Sequence, residues 1–203
     1  NMASANALLK TLEEPGERVL LILLADHYLK LPATIRSRLQ HFALDRLSLD
    51  EAKDFVRSQQ LQLSDKQISL LLNLANNMPL TAIEIAQSAW VEQRSVFLND
   101  WFKLVSEKNM PLHYVNKWSK NLPFSDLMIM FEYLLGDIVA FKLNQELKNT
   151  DLNFQDLAAC YPLEILFEIY SELQNYKLLI SQNVQSALVL DQLFIKLMYV
   201  QLS

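Results

Sequence analysis

The sequence predicts a mainly α protein whose first forty-odd residues have a mixed α/β character. Three observations carry this. Only two glycines and six prolines occur in 203 residues, too few for a many-turned β fold. Leu, Gln, Glu, Lys and Ala, which lose little on entering a helix, are abundant. Two capping boxes, Ser48-Leu-Asp-Glu51 and Ser64-Asp-Lys-Gln67, mark helix starts by placing a hydroxyl and an acceptor side chain three residues apart.

In chain order, Ser4 to Glu14 reads as a helix with Ala5, Leu8, Leu9 and Leu12 on one face, stopped by Pro15-Gly16. Val19 to Leu24 is continuously apolar between Gly16 and Asp26, the pattern of a strand buried on both faces of a parallel sheet. Gln40 to Leu44 fits a second, shorter strand, and two strands alone make no stable sheet. Beyond Leu44 helices follow one another. The capping boxes open helices running to about Gln59 and Ala75, and Pro79 suits the first turn of a third ending near Trp90. With Ala52, Phe55, Ile68, Leu71, Leu72, Ala82, Ile83 and Ala86 apolar, these three predict a small bundle. Longer helices are expected over Glu92–Glu107, Pro111–Lys120, Phe124–Leu147, Leu163–Ser181 and Val184–Gln201, punctuated by Gly136 and by Gln- and Asn-rich joints. Leu127, Met130, Phe131, Leu134, Leu135 and Ile138 give one of them a broad apolar face, which must pack on other helices or on neighbouring subunits. The last helix is apolar on more than one side, as a central core helix or one with outside contacts would be.

Composition narrows the functions. The chain is 51% hydrophobic and 20% charged, enough to bury a core at this length. The net charge of −5 is uneven. Residues 1–44 carry five Lys/Arg against four Asp/Glu, and residues 45–203 carry thirteen against nineteen. Such an acidic body lacks the clustered cations that autonomous DNA binding needs, so any DNA role is indirect or shared. The single Cys160 excludes an internal disulfide and a Cys-rich zinc site, and with Ala158, Ala159 and Tyr161 around it reads as a buried small hydrophobe. No apolar run approaches the ~20 residues of a membrane span, and no signal-peptide pattern opens the chain, so no membrane association and a cytoplasmic location are expected.

Self-contained catalysis finds no footing. No G-x-x-x-x-G-K-[ST] loop is present, and Gly16 and Gly136 could not form one. No acidic cluster follows a strand to hold magnesium. His27, His41 and His113 lack metal-ligand spacing and read as surface or half-buried residues, and Cys160 has no catalytic partner. The turn Thr34-Ile-Arg36-Ser37-Arg38 concentrates positive charge between the two expected strands. Read from its residues alone, Arg38 is a surface arginine paired with a nearby acid, and Arg36 is solvated or salt-bridged.

Two segments, Asn6-Ala-Leu-Leu-Lys-Thr-Leu-Glu-Glu-Pro15 and Leu31-Pro-Ala-Thr-Ile-Arg-Ser-Arg-Leu39, resemble the back half of the AAA+ core of bacterial DNA polymerase III clamp-loader subunits, above all their delta-prime branch. The segment Gln182-Asn183-Val-Gln-Ser-Ala-Leu-Val-Leu-Asp-Gln-Leu-Phe194 is similar to the last helix of that branch. The resemblance implies a C-terminal piece in three domains: residues 1–44 the tail of an AAA+ core, 45–90 a three-helix lid and 91–203 a helical collar used for oligomerisation. A P-loop, a zinc module and a magnesium-binding strand would lie upstream. It implies that Arg38, preceded by Ser37, is the arginine of the family's Ser-Arg-Cys motif, presented to the nucleotide of the adjacent subunit. Leu39 departs from the cysteine. The physical logic is that of an arginine finger, a planar and permanently charged fork that stabilises charge in phosphoryl transfer.

Two departures from the hydrolysing members accompany this. Ala25-Asp26 stands where a polar sensor is expected, and Asn77-Met78-Pro79-Leu80 stands where they carry Gly-Ser-x-Arg, so Leu80 takes the arginine's place. The resemblance therefore implies a non-hydrolysing structural subunit that holds no cofactor itself, with ATP and magnesium on neighbouring subunits. Its partners would be gamma/tau and delta subunits, with the sliding clamp and primed DNA reached through the complex in DNA replication. A gamma- or tau-like ATPase segment, and a helical adaptor unrelated to replication, remain as alternatives.

Overall fold

The computed structural model describes residues 9, 11–13, 16, 18–25, 27–42, 47–107, 110–180 and 186–198. The chain divides into two units, residues 1–45 and 46–203.

In the first unit, residues 9 and 11–13 are helical, within the helix expected over Ser4–Glu14, whose other positions fall outside the described residues. Val19 to Leu24 departs from expectation. The segment is not helical, but it forms no ladder and its side chains are largely exposed, Leu20 and Leu24 by more than four-fifths. A strand needs neighbours to satisfy its backbone, and among the described residues none lies alongside. Residues 40–42 are likewise unpaired, while 43 and 44 fall outside the described residues. A 3₁₀ turn at Tyr28–Lys30 leads through Pro32 into a one-turn helix, α1 (Ala33–Arg36).

The second unit is all helix and connection among its described residues. It holds α2 (Leu49–Ser58), α3 (Asp65–Leu74), α4 (Pro79–Gln87), α5 (Trp90–Ser106), α6 (Pro111–Asn121), α7 (Phe124–Lys142), α8 (Gln155–Ala159), α9 (Leu163–Ile180) and α10 (Ser186–Met198). Both capping boxes form. Ser48 Oγ accepts from Glu51 N at 3.3 Å while Ser48 N donates to Glu51 Oε2 at 2.9 Å, and Ser64 and Gln67 repeat the exchange at 3.4 and 2.9 Å. The Ser48 contacts also hold the Glu51 carboxyl below its ordinary range. Pro79 and Pro111 open α4 and α6, where a missing N–H costs nothing. Three helices are followed by residues in the left-handed region: Gln60 (φ 56°) after α2, Asn76 and Asn77 (52° and 61°) after α3, and Asn144 (54°) after α7.

The stop at Asn144 explains why α7 is shorter than the expected Phe124–Leu147. The left-handed turn lets Gln145 N reach back to Ala140 O at 2.8 Å and close the helix. Gly136 lies inside α7, within the expected helix, exposed and lining a cleft with Tyr133 and Lys148. The five-residue α8 has too little periodicity to be foreseen.

Helices α2, α3 and α4 pack pairwise around Ala52, Val56, Ile68, Leu71, Leu72 and Ala82. In the remainder α5 is central, touching α6, α7, α8 and α10, while α9 bridges α7 and α10. Phe97 on α5 meets Trp101, Trp118, Phe131 and Phe194 edge-on at 4.9–6.2 Å between ring centres. Each such pair adds about 0.5–1.5 kcal/mol beyond burial itself. Buried apolar side chains from Ala52 to Leu197 form one connected core. Helix α10 gives it Leu190, Leu193, Phe194 and Leu197, with Val189 also buried and Leu188 and Ile195 exposed. No described helix is long and apolar enough to cross a membrane.

Candidate functional site

The Ser37-Arg38 step sits in the turn that ends α1. Ile35, the only buried residue of that helix, anchors it, with Ala33 and Thr34 exposed ahead of it. Ser37 Oγ donates to Thr34 O at 3.2 Å, and Arg38 N donates to Ile35 O at 3.1 Å, fixing the direction in which Arg38 leaves the backbone.

The Arg38 guanidinium is held at both ends of its fork. Nη1 donates to Thr34 O at 2.8 Å and approaches Ser37 Oγ at 3.4 Å, and Nη2 pairs with Glu13 Oε1 at 2.5 Å. Both charged side chains stay open to water, about a third and a half exposed. The arrangement keeps a permanent positive charge at the surface in a defined pose, which suits recognition of an oxyanion. The nearby acid anticipated for Arg38 is thus Glu13. Its identity was out of reach of local pattern, because the pair joins the first helix to the turn; the only hint was an acid pair at that helix's end.

Arg36 takes a different place. Its guanidinium carbon lies 5.5 Å from the centre of the Tyr28 ring, and Tyr28 stacks on His41 at 4.0 Å. Arg36 Nε is buried without a hydrogen-bond partner among the described residues. Arg36, expected to be solvated or salt-bridged, is half-buried with its guanidinium over an aromatic face. Leu39 is half-buried behind the turn.

The remaining candidates lie elsewhere. His27, His41 and His113 are all exposed, and no grouping of His, Cys, Asp and Glu that could hold a metal ion occurs among the described residues. Cys160 is half-buried rather than buried, since it sits at the C-terminal end of α8 where one side meets solvent. Its Sγ donates to Asp156 O at 3.3 Å, and burial together with the Asp156 charge raises its pKa. Leu80 projects from the first turn of α4, two-thirds exposed. Ala25 is exposed, and Asp26 lies outside the described residues.

Comparison with known proteins gives consistent matches. A family model described as "DNA polymerase III, delta subunit" matches residues 1–48, the stretch that contains Glu13, Ser37 and Arg38. The chain is 35% identical over 118 residues to DNA polymerase III subunit delta' of Haemophilus influenzae, covering 58% of this chain and 36% of that protein. It is 48% identical over 54 residues to subunit gamma of Buchnera aphidicola subsp. Schizaphis graminum, covering 27% of this chain and 15% of the relative. It is 31% identical over 93 residues to subunit tau of Bacillus subtilis, covering 44% and 16%. The matched region thus spans little more than a third of the first relative and about a sixth of the other two. A delta-subunit family model and the delta', gamma and tau subunits thus point the same way: over the matched stretches the chain is similar to subunits of DNA polymerase III.

Proposed function

We propose that this chain acts as a delta-prime-type, non-hydrolysing subunit of a clamp loader, bracing the assembly and offering Arg38 to the ATP of an adjacent subunit. The observation that carries this is the exposed, two-point-held guanidinium of Arg38 on a turn whose sequence matches the family at residues 1–48. In this reading residues 1–44 belong to an AAA+ core, 45–90 to a lid and 91–203 to a collar. ATP and magnesium are held by neighbours, the partners are gamma/tau and delta subunits in the cytoplasm, and the sliding clamp and primed DNA are met through the complex. The chemistry asked of this chain is small: one cation, fixed in direction, set against charge that builds on transferring phosphoryl oxygens.

A second reading is a gamma- or tau-like ATPase subunit, favoured by the matches to those relatives. Leu80 opposes it, because an exposed leucine at the start of α4 has nothing to offer a phosphate.

The test is the clamp- and DNA-stimulated ATPase of a loader reconstituted with the full chain, with and without Arg38→Ala. A fall of about 10²-fold or more at the neighbouring site, with assembly intact, is the expected result. An unchanged rate would sink the finger and leave a scaffold.

A further inference from the structure

The nitrogen that Arg38 would turn toward a phosphate is already engaged. Nη2 pairs with Glu13 Oε1 at 2.5 Å, while Nη1 rests on the Thr34 carbonyl at 2.8 Å. Carboxylate and phosphate present the same feature to a guanidinium, negatively charged oxygens that accept from its fork. Only one of them can hold Nη2 from the same side. The two holds differ in kind. Thr34 belongs to the same turn and seats the side chain whatever else binds. Glu13 comes from a different segment and is itself half exposed, so its pairing is readily exchanged.

We propose that Glu13 is an intramolecular counter-ion that competes with the neighbouring subunit's nucleoside triphosphate for Arg38, and so sets the apparent affinity of that site. The proposal rests on the reading of Arg38 as a finger. With no nucleotide next door, Glu13 neutralises the arginine and keeps it extended over the turn. When a triphosphate arrives, its greater negative charge displaces the carboxylate, and Nη1 stays on Thr34 so that the guanidinium pivots rather than swings. Glu13 does not touch the reacting atoms. It is a positioning residue, acting only through Arg38.

The experiment measures KM for ATP in a loader reconstituted with the full chain, clamp and primed DNA present. It uses the unaltered chain, Glu13→Gln, Arg38→Ala and the double variant, each checked for assembly by gel filtration. Glutamine keeps the size and an acceptor oxygen but removes the charge. Glu13→Gln is expected to lower KM by about two- to fivefold, the range an exposed ion pair spans. On the Arg38→Ala background the same change is expected to do nothing. A KM that is unchanged or higher in Glu13→Gln, where Arg38→Ala still abolishes stimulation, overturns the role of Glu13 and leaves the finger standing. A KM that falls equally with and without Arg38 also overturns it, since Glu13 would then act by another route. Full activity of Arg38→Ala overturns both readings together.

Discussion

Arg94 and Asn149, fifty-five residues apart in the chain, meet inside the helical unit, where the guanidinium Nη1 donates to Asn149 Oδ1. The other end of the same amide donates to Asp137 Oδ2 at 2.7 Å. Asn149 is wholly buried and stands between a cation and an anion that are themselves almost fully removed from water. Asp137 also accepts from the backbone N–H groups of Lys148 and Asn149 at 2.9 and 2.7 Å. Arg94 closes the set with a fork onto Asp151 at 3.1 and 3.0 Å and with Nε on Val91 O at 2.6 Å. One amide thus ties α5, α7 and the connection between α7 and α8.

Asn149→Ala is expected to destabilise the protein by about 2–4 kcal/mol, because it strips a partner from two buried charged groups at once. Urea unfolding followed by helical circular dichroism measures it. A loss below about 1 kcal/mol would mean that water replaces the amide and that the bridge is not a structural tie.

Tyr161 supplies a pH signature. Its hydroxyl accepts from Trp101 Nε1 at 2.8 Å and donates to Leu197 O at 2.7 Å, and burial raises its pKa well above the ordinary tyrosine value. Above a pH of about 10 the unfolded chain releases this proton while the folded chain keeps it. The folded state then binds more protons, so stability falls as pH rises through that window. Tyr161→Phe should cost about 1–3 kcal/mol at neutral pH, by orphaning a buried donor and acceptor, and should flatten the alkaline fall. Unfolding curves from pH 8 to 11 for both chains decide it; equal alkaline slopes would count against the assignment.

Cys160 should be a slow thiol. Burial and the Asp156 charge both disfavour the thiolate, the form that attacks. At pH 8 the folded protein is expected to react with an aromatic disulfide reagent on the order of tenfold more slowly than free cysteine, and in denaturant at the free rate. A folded rate matching free cysteine would show that neither burial nor the Asp156 charge restrains the thiol.

How far the sequence reached depended on the range of the forces involved. The capping boxes at Ser48 and Ser64, and the prolines opening α4 and α6, were legible because each is settled within one helical turn. The end of α7 was not. The apolar pattern runs on to Leu147, and it is Asn144 in the left-handed region, with Asp137 drawing the following backbone in, that turns the chain at Leu143. The segment Val19–Leu24, expected as a strand, takes no regular structure, since a run of β-formers becomes a strand only when another backbone lies beside it.

The candidate site shows the same division. That Ser37 and Arg38 lie in a turn could be read from the residues and their resemblance to a family motif. By itself the sequence determined a mainly α chain and the starts of most of its longer helices, because propensity, capping and periodicity act over a few neighbours. Only the tertiary structure decided that Glu13 holds Arg38, that Arg36 packs on Tyr28, and that Asn149 joins Arg94 to Asp137. Those pairings join residues that local pattern leaves apart, and which partner a charge or a ring finds is settled by how the helices and turns come together.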